Sequence, residues 1–337
     1  MQCAITSFGN RQIRSITSLL VLTNLSGKPN ALKSQTIVRA KICKAMEACL
    51  DAENPLCTRV ALYFTAFEAP DTALELIDIG VNLTHESFEP DLPEVLTRAR
   101  QAGVQRLVVT GADIEGSRAA LELANSHDTL WATAGIHPHY AEQTNQGVIT
   151  ELEGLLQAPR AVAVGETGLD FFRDLSPRSV QEASFEAHLD LAARSGLPMF
   201  LHERDAHARF AAMLRARRQE LGPVVVHCFT GSAEALHNYL DLDCHIGITG
   251  WICDERRGTH LQSLVNDIPS ARLLLETDAP YLMPRTIRPK PRTRRNEPAH
   301  LAHLAEFVAS LRNTSAVELA DTTTANAEQF FGLREVT

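Results

Sequence analysis

The chain of 337 residues carries 32 Lys and Arg against 41 Asp and Glu, a formal charge of −9 at neutral pH. Its 45% hydrophobic and 22% charged content is that of a soluble globular protein, and the acidic balance excludes a protein that coats nucleic acid by bulk electrostatics. No apolar run approaches the ~18–20 residues of a membrane span, and seven cysteines without a CxxC pair point to reduced thiols in a cytoplasmic compartment rather than a disulfide framework.

Charge is unevenly placed. Residues 1–70 hold eight Lys and Arg against four Asp and Glu, and the first fifty contain one acid, Glu47. Residues 1–74 therefore read as an N-terminal extension, poorly ordered or lying upstream of the true start, with no chemistry of their own. A single catalytic domain is expected over residues 75–335.

From Leu76 onward short apolar runs alternate with stretches of helical spacing. LIDIGVN (76–82) comes first, followed by a helical face of Leu92, Val95 and Leu96. RLVVTGA (106–112), WATAGIH (131–137) and AVAVGETG (161–168) come next, then a second face of Phe185, His188, Leu189 and Ala192. PMFLHE (198–203) precedes a third face of Phe210, Met213 and Leu214. VVVHCFT (224–230), HIGITG (245–250) and LLLETDAP (273–280) complete eight runs. Near-continuous apolar runs are the mark of parallel strands buried on both faces. Eight such units in about 260 residues predict a (β/α)8 TIM barrel. A doubly wound open sheet is the alternative, but it wants a glycine-rich phosphate turn, and GADIEG is a poor imitation.

Nearly every run ends on a reactive side chain: Asp78 and Asn82, His137 and His139, Glu166, His202, His227 and Asp278. In a barrel these ends meet at the C-terminal mouth, where active sites of this fold are built. Glu166, His202 and His227 come from the fourth, fifth and sixth runs and are neighbours around that mouth. Imidazoles with a carboxylate suit a divalent cation such as Mg2+, Mn2+ or Zn2+. Asp278, on the eighth run, can hold and deprotonate a water or join the metal set. His137 and His139 flank a stiffening Pro138 and are candidate proton donors or phosphate ligands, with no basis for choosing between them. Any one strand-end histidine alone is as readily a loop hydrogen bond. His207, His237, His245, His260, His300 and His303 sit on helices or connections and read as structural.

Between Arg285 and Arg295 lie six Lys and Arg and no acid. The prolines of this stretch forbid regular structure, so it is an extended loop beside Asp278 at the same mouth. Arg294 and Arg295 are its candidate phosphate contacts, since planar guanidiniums grip phosphate in bidentate fashion. CDERRG (253–258) adds Arg256 and Arg257, or ties the loop through Asp254 and Glu255.

These residues carry a resemblance. DIGVNLT, TAGIHPH, VAVGETGLDF, FLHERDA, VVHCFTGS, HIGITGWICDERRG, LLLETDAPYLMPR and RRNEPAHL, in this order, closely resemble the TatD-type metal-dependent deoxyribonucleases. The match runs from about Leu76 to Leu333 and leaves residues 1–74 without a counterpart. It implies a TIM barrel hydrolysing phosphodiester bonds in single-stranded DNA, with RNA as a further substrate, by 3′-5′ exonuclease action with Mg2+. It implies Glu166, His202 and His227 as metal ligands and Asp278 as the catalytic aspartate. One position departs: most of the wider family opens strand one with an HxH pair, and here Gly80 and Asn82 stand there. A metal-dependent hydrolase of amides or lactones, or a deacylase of charged tRNA, is the rival enzyme, and a non-catalytic binding or quality-control barrel the rival from another class. No membrane association and no obligate protein partner is expected.

Overall fold

The computed structural model describes residues 74–333; the expectations for the N-terminal extension, and for the last two residues of the expected domain, lie outside them. Eight strands follow one another around a parallel sheet in sequence order: β1 (Leu76–Val81), β2 (Val104–Val109), β3 (Leu130–Ala134), β4 (Ala161–Asp170), β5 (Met199–Arg204), β6 (Val224–Val226), β7 (Cys244–Ile248) and β8 (Leu273–Leu275). No reversal of order occurs, so the doubly wound alternative falls. The seam between β8 and β1 is closed just past the end of β8. There the Asp278 amide donates to the Gly80 carbonyl at 2.9 Å and the Asn82 amide to the Ala279 carbonyl at 2.8 Å. Asp78, fully buried, bolts the same seam by accepting the Thr277 amide at 2.9 Å.

Helices α1 (Leu92–Gln101), α2 (Ile114–Asn125), α3 (Gln146–Leu155), α4 (Arg178–Ser195), α5 (His207–Arg217), α6 (Ala233–Asp241), α7 (Thr259–Leu264), α8 (Leu301–Arg312) and α9 (Ala316–Phe331) interleave with the strands or follow them. Their apolar faces pack on the outside of the sheet, where most of the hydrophobic core lies. Inside the barrel, Ile77, Ile79, Trp131, Val162, Phe200 and Leu274 form a second core, as expected of a barrel whose interior is filled rather than open. Phe330 and Phe331, at the end of α9, belong to that inner core, and Phe330 packs on His245 at the start of β7. One end of the barrel is thereby plugged, leaving the opposite, C-terminal end for a site. Among the described residues no helix is long and apolar enough to cross a membrane.

Candidate active site

Local chain geometry aims Glu166. Val164 pairs with Met199 and Thr167 with Leu201, so β4 carries one residue more than β5 across this span, a β-bulge. Gly165 and Gly168 on either side have φ of +145° and +143°, and a Cβ on either would run into the backbone carbonyls of Phe200 and His202. Only glycine fits there. The bulge turns the Glu166 side chain toward the mouth, and its amide donates to the Gly111 carbonyl at 2.8 Å.

Three imidazoles converge on one Glu166 oxygen. Oε1 lies 2.7 Å from His227 Nε2, 3.1 Å from His202 Nδ1 and 3.3 Å from His137 Nε2. The far nitrogens of the rings distinguish them. His137 Nδ1 accepts the His139 amide at 3.1 Å, so the proton of its neutral ring sits on Nε2, which therefore donates toward Glu166. The other two rings face carboxylates on both sides: His202 Nε2 is 3.3 Å from Asp170 Oδ2, and His227 Nδ1 is 3.3 Å from Glu276 Oε2. A ring that gives its outer N–H to a carboxylate keeps a lone pair on the inner nitrogen, as in carboxylate–histidine–metal arrangements. Donor atoms of His137, Glu166 and His202 all lie within 4.8 Å of one another. By proximity these three could share an ion, while the hydrogen bonds distinguish His137, whose inner nitrogen carries a proton, from His227, whose outer nitrogen faces a carboxylate. Two imidazoles that give up their inner protons to a metal, with a carboxylate beside them, fit a borderline or hard divalent cation.

Electrostatics agree with a place for added positive charge. Burial works against a charged His227 and His202, yet Glu166 and Glu276 hold His227 well above the ordinary histidine range, and Asp170 and Glu166 raise His202. Burial likewise opposes ionised Glu166, but His227 and His137 hold it well below the carboxylate range. His137 is pushed down to about 4, chiefly by burial. Asp278 is pushed up to about 7 by its enclosed surroundings, with Glu166 and Glu276 adding to the rise and His227 opposing it.

The remaining expected residues divide. Asn82 Nδ2 donates to Asp278 Oδ1 at 3.0 Å, a supporting contact. Gly80 has no room for a side chain: a Cβ there would collide with the Glu276 carboxylate and lie 2.8 Å from the Phe200 ring. The missing HxH pair thus leaves a strand whose first position is covered by a carboxylate and whose second steadies the aspartate. Asp78 turns away from the mouth into the seam. His139 Nε2 bonds Asp170 Oδ2 at 2.8 Å, so it joins the site through that carboxylate rather than at Glu166. Arg295 differs from the phosphate grip expected of it. Its guanidinium makes a bidentate pair with Asp91 at 2.7 and 2.8 Å, bonds the Ser87 carbonyl and lies over Phe88, so it braces the turn before α1. Arg294 is exposed beside it. Asp170 and Glu276 were missed by sequence reasoning. Glu276 shares the parity of Asp278 at the end of β8, and that spacing was the available signal.

A model of the family described as TatD related DNase matches residues 77–332. The chain belongs to this family. Among curated members, the 3′-5′ ssDNA/RNA exonuclease TatD of Edwardsiella piscicida is 53% identical over 259 residues, 77% of this chain and all of that protein. That of Klebsiella pneumoniae (strain 342) is 47% identical over 258 residues, 77% of this chain and 98% of its own length. Among solved structures, YJJV, a TatD homolog from Escherichia coli K12, superposes with a TM-score of 0.71 at 30% identity, covering 78% of this chain and all of that one. A TatD family hydrolase from Entamoeba histolytica gives 0.69 at 26% identity, covering 77% and 98%. The TatD-related match spans the barrel, so the expected fold and family are both borne out.

Proposed function

We propose that the protein is a metal-dependent nuclease that removes nucleotides from the 3′ end of single-stranded DNA, and of RNA. The observation that carries this reading is the convergence of His202 and His227 on Glu166 within reach of a carboxyl held near neutrality. Glu166, His202 and His227 would hold a divalent cation, with Mg2+ favoured and Mn2+ or Zn2+ as alternatives. The cation, when bound, supplies Lewis acidity to a phosphoryl group and lowers the pKa of a nearby water. Asp170 and Glu276 orient the two rings through their outer N–H groups. Asp278, with a pKa of about 7, is poised to take a proton from the attacking water at neutral pH, and Asn82 holds its other oxygen in place. His137, kept neutral by burial with its proton on Nε2, is a donor to a phosphate or leaving oxygen. Free thiols at Cys228, Cys244 and Cys253 suit a reducing, cytoplasmic setting.

The direct test incubates the purified protein with 5′-labelled single-stranded DNA or RNA and Mg2+, Mn2+ or Zn2+, with a chelator control. Stepwise shortening from the 3′ end that stops on chelation is expected, and metal-independent or absent shortening ends the proposal. Asp278→Asn should keep metal binding while lowering turnover by about 100-fold or more. Near-normal turnover in that variant rejects the aspartate as base. Cleavage of a neutral lactone or amide in preference to the oligonucleotide would select the rival hydrolase.

A further inference from the structure

Large apolar side chains are exposed at one end of the barrel only. Among the described residues these are Tyr140 (44%), Phe172 (55%), Leu175 (65%) and Tyr281 (52%). All four follow β3, β4 or β8 at the C-terminal mouth. Burying large apolar side chains is favourable, so several left open around one rim mark a surface meant to be covered.

One of them belongs to a stack. The Arg204 guanidinium lies 4.4 Å from the centre of the Phe172 ring and 5.1 Å from that of Trp251; Arg257 lies 4.3 Å from Trp251. Arg204 stands two residues beyond His202 on β5, on the same face of the strand and about 7 Å along it. Its guanidinium has no carboxylate and no hydrogen-bond partner among the described residues. Stacking occupies the faces of a guanidinium and leaves its N–H edges free, the edges that bind phosphate oxygens. Arg257 is partly spent on Asp254 at 3.0 Å, which holds the far end of the stack in place. Alternating rings and guanidiniums beside a hydrolytic centre form a surface with two chemistries: π-faces for bases and N–H forks for the backbone between them.

We propose that Phe172, Arg204, Trp251 and Arg257 form a subsite for the strand beyond the scissile bond, Phe172 stacking on a nucleobase and Arg204 holding a backbone phosphate. This rests on the nuclease reading and adds to it the source of strand affinity. It also explains how a chain of charge −9 retains a polyanion: attraction comes from a short local stack rather than from overall charge. Every base has a π-face, so the subsite is indifferent to sequence.

The test is a cycle between protein and ligand, measured by fluorescence anisotropy in Mg2+ in the Asp278→Asn background. The probes are a short 5′-labelled oligothymidine and the same strand made abasic upstream of its 3′-terminal nucleotides. Phe172→Ala should weaken binding of the intact strand about 5- to 50-fold. The abasic strand should bind the Phe172 protein more weakly by a similar factor, and the two changes together should cost no more than either alone. Arg204→Gln should lower the slope of log affinity against log salt by about one, and Arg204→Lys should keep the slope while losing affinity. Phe172 is exposed, so its truncation leaves packing intact, which thermal melting verifies. If intact and abasic strands bind equally, or if Phe172→Ala affects both alike, the subsite is overturned while the nuclease reading stands. If the wild-type protein neither binds nor shortens single strands, both fall, and a protein partner becomes the occupant of the rim.

Discussion

Two aspartates of this barrel are pushed up to about 7 with different consequences. For Asp78 the cause is burial, offset by hydrogen bonds from Thr277 and Gly80; it has no opening to the mouth and serves the β1–β8 seam. Asp278 reaches the same range at the edge of a carboxylate cluster, partly open to the mouth, where a proton can be exchanged with a water. Glu276 matters as much as either. It accepts the Cys228 amide at 2.5 Å and faces His227 Nδ1, the contact that would keep Nε2 available to the proposed cation. Glu276→Gln keeps the volume but presents N–H groups to Nδ1, which favours the wrong tautomer. Its affinity for Mn2+, measured by calorimetry, should fall roughly 10- to 100-fold with the fold retained; unchanged affinity would remove Glu276 from this role.

Helix α4 illustrates how an element outside the barrel shapes the site. His188 is fully buried on its inner face, bonding the Ser184 carbonyl at 2.7 Å through Nδ1 and accepting the Ile136 amide at 3.0 Å through Nε2. Both bonds require the neutral ring. Ile136 precedes His137, so α4 holds the start of the GIHPH turn. Burial pushes the His188 pKa down to about 4, below its unfolded value near 6.5. The unfolded chain therefore takes up the proton first, and the stability contributed by the neutral ring is complete above pH 6.5 and lost as pH falls toward 4. The contribution is roughly 3 kcal/mol. Asp78 and Asp278 act with opposite sign in part of this window, so the measurement is a difference. Urea unfolding of wild type and His188→Gln at pH 7 and at pH 5 should show a smaller acid loss in the variant. Equal losses would mean that His188 is not a proton-sensitive brace.

For the molecule as a whole, the closed barrel brings strand ends far apart in sequence to one mouth and plugs the other end with α9. The buried group of Glu166, Asp170, Glu276 and Asp278 is balanced by imidazoles alone, so a bound cation should stabilise the folded state by mass action. At a metal concentration about 100 times Kd the gain is ~2.7 kcal/mol, or about 2–4 °C in Tm per kcal/mol for a domain of this order of size. Differential scanning fluorimetry with Mg2+ or Mn2+, reversed by chelator, checks this. A Tm unmoved by every divalent cation tried would argue that the site does not bind one in the folded state.

Periodicity and strand-end chemistry made the barrel legible: eight apolar runs, most of them ending near an imidazole or acid, admit few other folds, because parallel strands are buried on both faces and expose only their ends. The same pattern singled out Glu166, His202, His227 and Asp278 as the candidate site. What linear order could not decide was the allegiance of each side chain. Arg295 resembles a phosphate grip until Asp91 is found beside it, 204 positions away along the chain. His137 and His139 are indistinguishable until one ring is seen against Glu166 and the other against Asp170. Glu276, Asp170 and the Phe172–Arg204–Trp251 stack acquire their roles only when neighbouring strands set them side by side. Fold follows from short-range patterns of burial, whereas a proton's position and a guanidinium's partner depend on contacts of about 3 Å between segments that only closure of the barrel brings together.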